Sequence, residues 1–584
     1  MFKVNIWKFS GLISKNLKSG KNIFFLILII SLINVVFSQT SADDVYRWGN
    51  LKNNPWSVNE YKINSKYFFE NTIAVIAPGE NKSCPKGKTI VMTGSKREDR
   101  RIIVSDLFTN STQNKLNENL GTDVTLDINS DIETLATDNQ LVKLNDGSLL
   151  AVKLGYLWSP ITPKPFWWDW TSDKWTFYKK GARDAIFIYK STNCGVTWNN
   201  ISKIDAAKIG FGIPKLSKEK AGEDDDDDDE TEGSEPNNEK LYHTNGFDRQ
   251  EVYYDKWTEK IYITTQMASG GYSPVTGVKV PAINKYGVLM SSDNGQTWGL
   301  LKNGFTDKSV MVMTTTTNGR FFMFSASGGK PVLYFTRQKR DFDLSSLDSV
   351  NISCKKDYPL YPDKAQKDKQ IHQWNKLATF SIARGHSQRA TNAWINSVYI
   401  SYPVFNHLGK GELMIVKVDF IEPDFPNTIL TNQNCYAVKA SDKDHSLGYG
   451  TFVESTEEGV NIKKGNPFIA AKTLFFYAES TTGDNFKGEK KAAFKGIFID
   501  NRTSSFSDDF FLSKDNNNDR WFTANDGVGH YTKGAYFVHQ QTQNYSVQWS
   551  EPDGIHVSVI SGLELKRDAD KKFLENHKKY TKKK

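Results

Sequence analysis

A chain of 584 residues with 38% hydrophobic, 13% aromatic and 24% charged residues has a globular composition and enough apolar mass for a large core. Its formal net charge of +8 is small for that length, and part of the basic excess sits in the end "KKFLENHKKYTKKK". No basic recognition helix or aromatic RNA motif accompanies that end, so it reads as a solvated tail and nucleic acid is excluded as a partner.

The N-terminus carries Lys3, Lys8, Lys15, Lys18 and Lys21 ahead of the apolar run "IFFLILIISLINVVF", Ile23 to Phe37, with no acid before Asp43. This reads as a signal peptide over residues 1–38, cleaved before Gln39, which makes the chain secreted and leaves it with no membrane partner. The rival is an uncleaved type II signal anchor, but fifteen residues at about 1.5 Å each fall short of a roughly 30 Å hydrocarbon core. Export agrees with six glycosylation sequons, at Asn81, Asn110, Asn200, Asn351, Asn501 and Asn544. It also agrees with four cysteines, Cys84, Cys194, Cys354 and Cys435, which form two disulfides in any of three pairings.

After residue 40 the chain shows no long helical periodicity. Short runs rich in Val, Ile, Phe and Tyr alternate with Asn, Asp and Gly turns, the pattern of an all-β fold. Residues 39–129 form an N-terminal segment whose hairpin "KTIVMTGSKREDRRIIVSDL" could supply a closing strand. Next come "QLVKL", the turn "NDG", "SLLAVKLGY", a long loop, "RDAIFIYK" and the motif "STNCGVTW". The order repeats as "QEVYYD", "KWTEK", "IYITTQ", a long loop, "YGVLM" and "SSDNGQTW". Four further groups follow, built on "VMVMTTTTNGRFFMFSA", "RATNAWINSVYISYPV", "TFVESTEEGVNI" and "YTKGAYFVHQ". Six four-stranded antiparallel units that cannot bury both faces alone predict a six-bladed β-propeller over residues 130–562. An acidic, apolar-poor loop at 221–240 interrupts it, and residues 563–584 form the basic tail.

The two motif copies place Ser191, Asn193, Gly195, Thr197 and Trp198, and Ser291, Asp293, Gly295, Thr297 and Trp298, at the turn after the third strand of a unit. Each residue has a structural task there: the Asp or Asn accepts from turn N–H groups, the Gly takes positive φ, and the Trp wedges against neighbouring sheet. The motif resembles the Asp box, S-x-D-x-G-x-T-W, of the Asp-box (BNR-repeat) sialidase-like propellers. That resemblance implies a rim position away from any active site, and it marks the fold more than an activity, because Asp boxes also occur in other glycosidases and in sorting receptors.

For a sialidase the resemblance implies three arginines clamping a substrate carboxylate, a tyrosine nucleophile activated by a glutamate, and a separate acid/base. The first arginine belongs to a Phe-Arg-Ile-Pro motif that this chain lacks: the corresponding stretch is "LATDNQLVKLNDG", and no arginine lies between Arg101 and Arg183. "GFDRQEVYYD" puts Asp248, Arg249 and Glu251 on an innermost strand, "ARGHSQRATNAW" brings Arg384, His386 and Arg389 to a similar position, and "NDGVGHYTKGAYF" places Tyr531 on a late strand comparable to the family's tyrosine. Tyr531, Glu251 and Asp248 are therefore the candidate catalytic residues, and Arg249, Arg384, Arg389 and His386 the candidate substrate contacts; the alternative is a polar channel lining. Regular alternation would keep Asp248 on the other strand face from Arg249 and Glu251. Trp167, Trp168, Trp170 and Trp175 cluster in one loop, as a sugar platform or as a self-packed hairpin.

No zinc or phosphate motif appears, and "DNNNDR" puts Arg520 where a calcium loop needs glycine, so no metal or cofactor is expected. That stretch reads instead as a decayed copy of the corner motif, Ser513 to Trp521. The expectation is a secreted propeller engaging glycans or glycoproteins, as a glycoside hydrolase with a non-standard catalytic set, or as a non-catalytic carbohydrate-binding or adhesion propeller or a protein-binding scaffold.

Overall fold

A computed structural model describes the chain from residue 56 to 564, outside residues 207–208, 210–245, 355–379, 456–471, 525–531 and several shorter loops. The signal-peptide segment, the acidic loop and nearly all of the basic tail therefore lie outside the described residues; Leu563 and Glu564 belong to the last strand. The described residues contain β-strands and no α-helix.

Seven antiparallel sheets make seven blades. Blade 1 comprises Phe69–Ile76, Lys88–Gly94, Arg101–Asp106 and Thr122–Thr125. Blade 2 runs Gln140–Lys143 (with Glu133–Leu135), Leu149–Ser159, Gly181–Ser191 and Asn199–Asp205. Blade 3 is Gly246–Asp255, Lys260–Ser273, Val278–Ser291 and Gly299–Phe305, and blade 4 is Val312–Thr315, Phe321–Ser327, Lys330–Thr336 and Leu347–Asn351. Blade 5 is Ser381–Ala390, Ala393–Phe405, Gly411–Pro423 and Leu430–Val438. Blade 6 starts Ser446–Val453, Lys472–Ser480 and Lys490–Asp500, and short pieces replace its outer strand. Blade 7 takes Gly534–His539, Thr542–Glu551 and Gly554–Glu564 from the C-terminus and its outer strand, Ser57–Asn64, from the N-terminus.

The six units seen in the sequence are blades 2 to 7, and the blade count is corrected to seven. The hairpin read as a closing element is the middle of blade 1, a complete sheet of its own. The closing strand is Ser57–Asn64, paired antiparallel with Gly554–Glu564. It escapes a local reading because its partner lies some five hundred residues away.

Each blade buries both faces against its neighbours. The described core resolves into seven apolar clusters, one between each adjacent pair of blades, including blades 7 and 1. The central strands accordingly lack alternation: all but the first residue of "KTLFFYAES" are buried. Inner strands contact one another in sequence around the axis, and the ring closes between blades 7 and 1.

Turn chemistry sets the corners. In "NDG" Asp146 accepts from Ser148 N at 2.9 Å, and Gly147 takes φ +74°. At the corner after the third strand of blade 3, Ser291 Oγ donates to Asp293 Oδ1 at 2.8 Å, and the N–H groups of Gly295 and Thr297 donate to Ser291 Oγ and Asp293 Oδ1. Trp298 Nε1 donates to Gly295 O at 3.0 Å. Burial pushes the Asp293 carboxyl up, but the bonds from the Thr297 hydroxyl and N–H, Ser291 and Gln296 N together outweigh it and hold the carboxyl down at about 2. Blade 2 repeats the corner with Asn193, whose amide donates to Thr197 Oγ1 in place of the charge-assisted bond.

These corners fasten each blade to the one before. Ser202 of blade 2 donates to Gly295 O, and Cys194 is bonded to Cys84 of blade 1. The second disulfide, Cys354–Cys435, joins the outer edges of blades 4 and 5. With sequence separations of 110 and 81, each is worth about 4–5 kcal/mol on a chain-entropy estimate. Stretch 513–521 is not a corner: it is an insertion in the broken outer edge of blade 6, after that blade's true corner near Asp500 and Ser504.

The insertion reaches blade 7 and forms a clasp. The Arg520 guanidinium donates to Glu60 of the N-terminal strand and to Glu551. His556 Nδ1 donates to Glu60 Oε1 at 2.7 Å and Nε2 to Asp553 Oδ1 at 2.9 Å. Glu60, Glu551 and His556 are the described group whose geometry could hold a metal ion, but the Arg520 guanidinium already spans the two glutamates.

Burial pushes the His556 imidazole down, but the charge of Glu551 and bonds to Asp553 and Glu60 outweigh it and raise it to about 9 from 6.5. A folded value above the unfolded one stabilises fully below pH 6.5 and is lost as pH rises through 9. The melting temperature should therefore fall between pH 6.5 and 9, and His556→Gln should flatten that slope. Asn200 and Asn351 are exposed, whereas Asn81, Asn501 and Asn544 are buried and hydrogen-bonded. Peptide mapping of chain from a secretory host should find glycan at Asn200 and Asn351 and none at the three buried positions.

Candidate functional site

The inner strands run parallel, so their N-terminal ends share one face with the loops joining second to third strands. The corner turns lie on the opposite face. In four inner strands two residues oppose one on the partner: Glu70–Asn71, Arg249–Gln250, Gly385–His386 and Tyr449–Gly450. Such bulges re-aim side chains and recur beside binding sites. The bulge at Arg249–Gln250 breaks the regular alternation of that strand. Glycine is required at two of them: a Cβ on Gly385 would lie 2.9 Å from Ser397 Cβ, and one on Gly450 2.6 Å from the Phe475 ring.

Below the first face the axis holds a chamber of about 120 Å³, lined among others by Glu251, Tyr253, Ser381, Thr451, Thr532 and Lys533. Lys533 of blade 7 donates to Glu251 Oε2 of blade 3 at 2.7 Å. Glu251 is 10% exposed and Lys533 25%. Ser381 Oγ, from blade 5, accepts from Phe452 N at 2.9 Å.

One or two residues further along each strand, side chains from blades 3 to 6 close the chamber floor. Tyr253 Oη accepts from Thr315 N at 3.1 Å and lies 3.0 Å from Thr315 Oγ1. Thr314 Oγ1 donates to Glu454 Oε2 at 2.9 Å. Arg384 Nε lies 2.7 Å from Glu454 Oε1, and Arg384 Nη2 donates to Ser455 O at 3.0 Å. Burial raises the Glu454 carboxyl above its usual range, with Arg384 and Thr314 pulling it partly back. Burial, then the Glu454 charge, raise the Tyr253 phenol.

Of the sequence-derived candidates, Glu251 lies on the chamber wall. Arg384 is buried at 3% exposure beside the chamber, with its Nε 2.7 Å from Glu454 Oε1 and its Nη2 donating to Ser455 O. Asp248 and Arg249 lie on the same inner strand as Glu251, and His386 and Arg389 on that of Arg384, but their side chains are outside the described residues. Tyr531 is also outside them; Thr532, its neighbour, is on the chamber wall. Trp170 lies outside as well, whereas Trp167 and Trp168 sit in the strand Phe166–Asp169. Trp198 and Trp298 pack between blades 1 and 2 and blades 2 and 3, away from the chamber.

The sequence reading missed Tyr253, Thr314, Glu454 and the pairing of Lys533. Glu454 follows directly on an inner strand, and polar residues where inner strands exit toward the axis are the signal that would have found it.

No family model matches the chain, and no curated protein matches it. Among solved structures, the GH93 α-L-arabinofuranosidase of Fusarium graminearum with arabinobiose is 11% identical, covering 72% of this chain and 91% of its own, with a TM-score of 0.28. A Hadza microbial sialidase is 12% identical over 82% of this chain and 73% of its own, at 0.33. The WD40 domain of SCAP from fission yeast is 10% identical over 87% and 98%, at 0.32. At such scores no residue of this chain takes a role from them.

The floor makes a prediction of its own. Arg384→Ala leaves Glu454 buried without its cation and should cost about 3–5 kcal/mol in urea unfolding. A variant with full stability and only weakened ligand binding would mean that Arg384 serves a ligand.

Proposed function

We propose that this chain is a carbohydrate-engaging propeller that takes its ligand on the face where the inner strands begin. One observation carries the reading. The loop between the second and third strands of blade 2 forms a hairpin, Phe166–Asp169 with Lys174–Phe177, whose register pairs Phe166 with Phe177 and Trp168 with Trp175. All four of these paired positions are aromatic, and we read the loop, which leaves the ring on the face where the inner strands begin, as an aromatic platform. Sugar rings present flat C–H faces suited to such a platform, and the chamber's hydroxyls, carboxylate and ammonium suit sugar hydroxyls. The corner motif, read as an Asp box, agrees with this assignment but supplies no chemistry of its own.

Binding without turnover is the reading the geometry supports best, because Arg384 is spent on Glu454. A hydrolase is the second reading. It is favoured by the Lys533–Glu251 contact, which brings the segment following Tyr531 up to the proposed base. Secretion is supported by the two disulfides, which persist in oxidising compartments.

A glycan array run with a fluorogenic sialoside assay tests both. Trp168→Ala combined with Trp175→Ala should lower glycan affinity at least tenfold while leaving the melting temperature unchanged. Turnover that disappears in Tyr531→Phe would establish the hydrolase instead.

A further inference from the structure

Among the described residues, the charges of the chamber wall and floor are paired. Lys533 is matched by Glu251 at 2.7 Å, and Arg384 in the floor is matched by Glu454 at 2.7 Å. Each of these cations thus has a carboxylate of its own. A ligand carboxylate entering here would meet an ammonium whose charge is already matched and would stand beside the Glu251 carboxylate, so like-charge repulsion offsets the attraction that its desolvation requires.

The same pair is well made for hydroxyl groups. An ammonium has three donors, and the described contact of Lys533 uses one of them, on Glu251 Oε2. A carboxylate has about four acceptor sites, and the described bond to Glu251 takes one. A donor and an acceptor thus stand side by side, the arrangement that two adjacent hydroxyls of a sugar ring satisfy together, each donating to the carboxylate or accepting from the ammonium. Ser381 Oγ already accepts from a backbone N–H, which leaves its own proton for a third hydroxyl. At about 120 Å³ the chamber is well below the roughly 300 Å³ lower end of small-molecule pockets, so it admits the edge of one terminal residue and leaves the rest of a glycan outside.

We infer that the axial chamber reads the vicinal hydroxyls of a neutral, non-reducing-end sugar through Glu251 and Lys533, and discriminates against acidic terminal sugars. The inference rests on the carbohydrate-engaging reading given above and specifies its ligand class.

The test is an array of glycans ending in neutral hexoses, pentoses or N-acetylhexosamines, set beside glycans ending in sialic or uronic acids. It is followed by titration calorimetry of the best binder with the full secreted chain. Neutral termini should dominate, and Glu251→Gln and Lys533→Met should each weaken binding at least tenfold. The double variant Glu251→Gln with Lys533→Met removes both charges together, so it checks that loss of binding is not loss of fold; its melting temperature should stay near that of the parent. Preferential capture of acidic termini overturns the inference while the carbohydrate reading stands. Neutral-sugar binding indifferent to both substitutions overturns the assignment to this chamber. Failure to bind any glycan overturns both readings.

Discussion

A sheet that is apolar on both faces has to be covered on both faces, and in this chain only other sheets are available to do it. That constraint generates the ring. The seven apolar clusters each lie between two blades, so a blade removed from its neighbours would expose two clusters at once. Corner turns and disulfides act on this packing as fasteners. Cys84–Cys194 and the Ser202–Gly295 bond both fix a corner to the preceding blade, so the corner tryptophans stay wedged in the interfaces.

Closure also creates the axial chamber. Seven sheets arranged around an axis leave a central channel, and polar side chains of the inner strands reach it beside apolar ones. The chamber has two levels with different chemistry. At the upper level Glu251 and Lys533 face each other with capacity to spare, and at the lower level Tyr253, Thr314, Glu454 and Arg384 are tied to one another across four blades. The upper level suits a ligand, whereas the lower one holds the strands at a set spacing.

Much of the architecture was legible because its determinants are local. Turns such as "NDG", runs such as "TLFFYAES" and the corner motif each carry their physics within ten residues, and blades 2 to 7 follow from them. Blade 1 lacks the corner motif, and a long connection precedes its outer strand, so only its middle hairpin stood out. The strand "SVNEYKIN" is mostly polar without clean alternation and gives no hint of a partner beyond residue 550. Site residues were less legible for the same reason. Glu251 announced itself through a polar inner strand, but that Arg384 is consumed by Glu454 depends on two blades meeting. Lys533 finding Glu251 depends on blades 3 and 7 facing one another across the axis.

The N-terminal strand has an implication for how the molecule is made. Ser57–Asn64 emerges from the ribosome before the other described strands, yet its place on the outside of blade 7 does not exist until Gly554–Glu564 has been synthesised. For almost the whole of translation this segment is an orphan edge carrying Glu60, a carboxylate whose partners Arg520 and His556 have not yet appeared. Its charge keeps it hydrated while it waits, which protects the nascent chain from premature pairing with other strands. Completion of the circle thus waits for the C-terminal strands of the last blade.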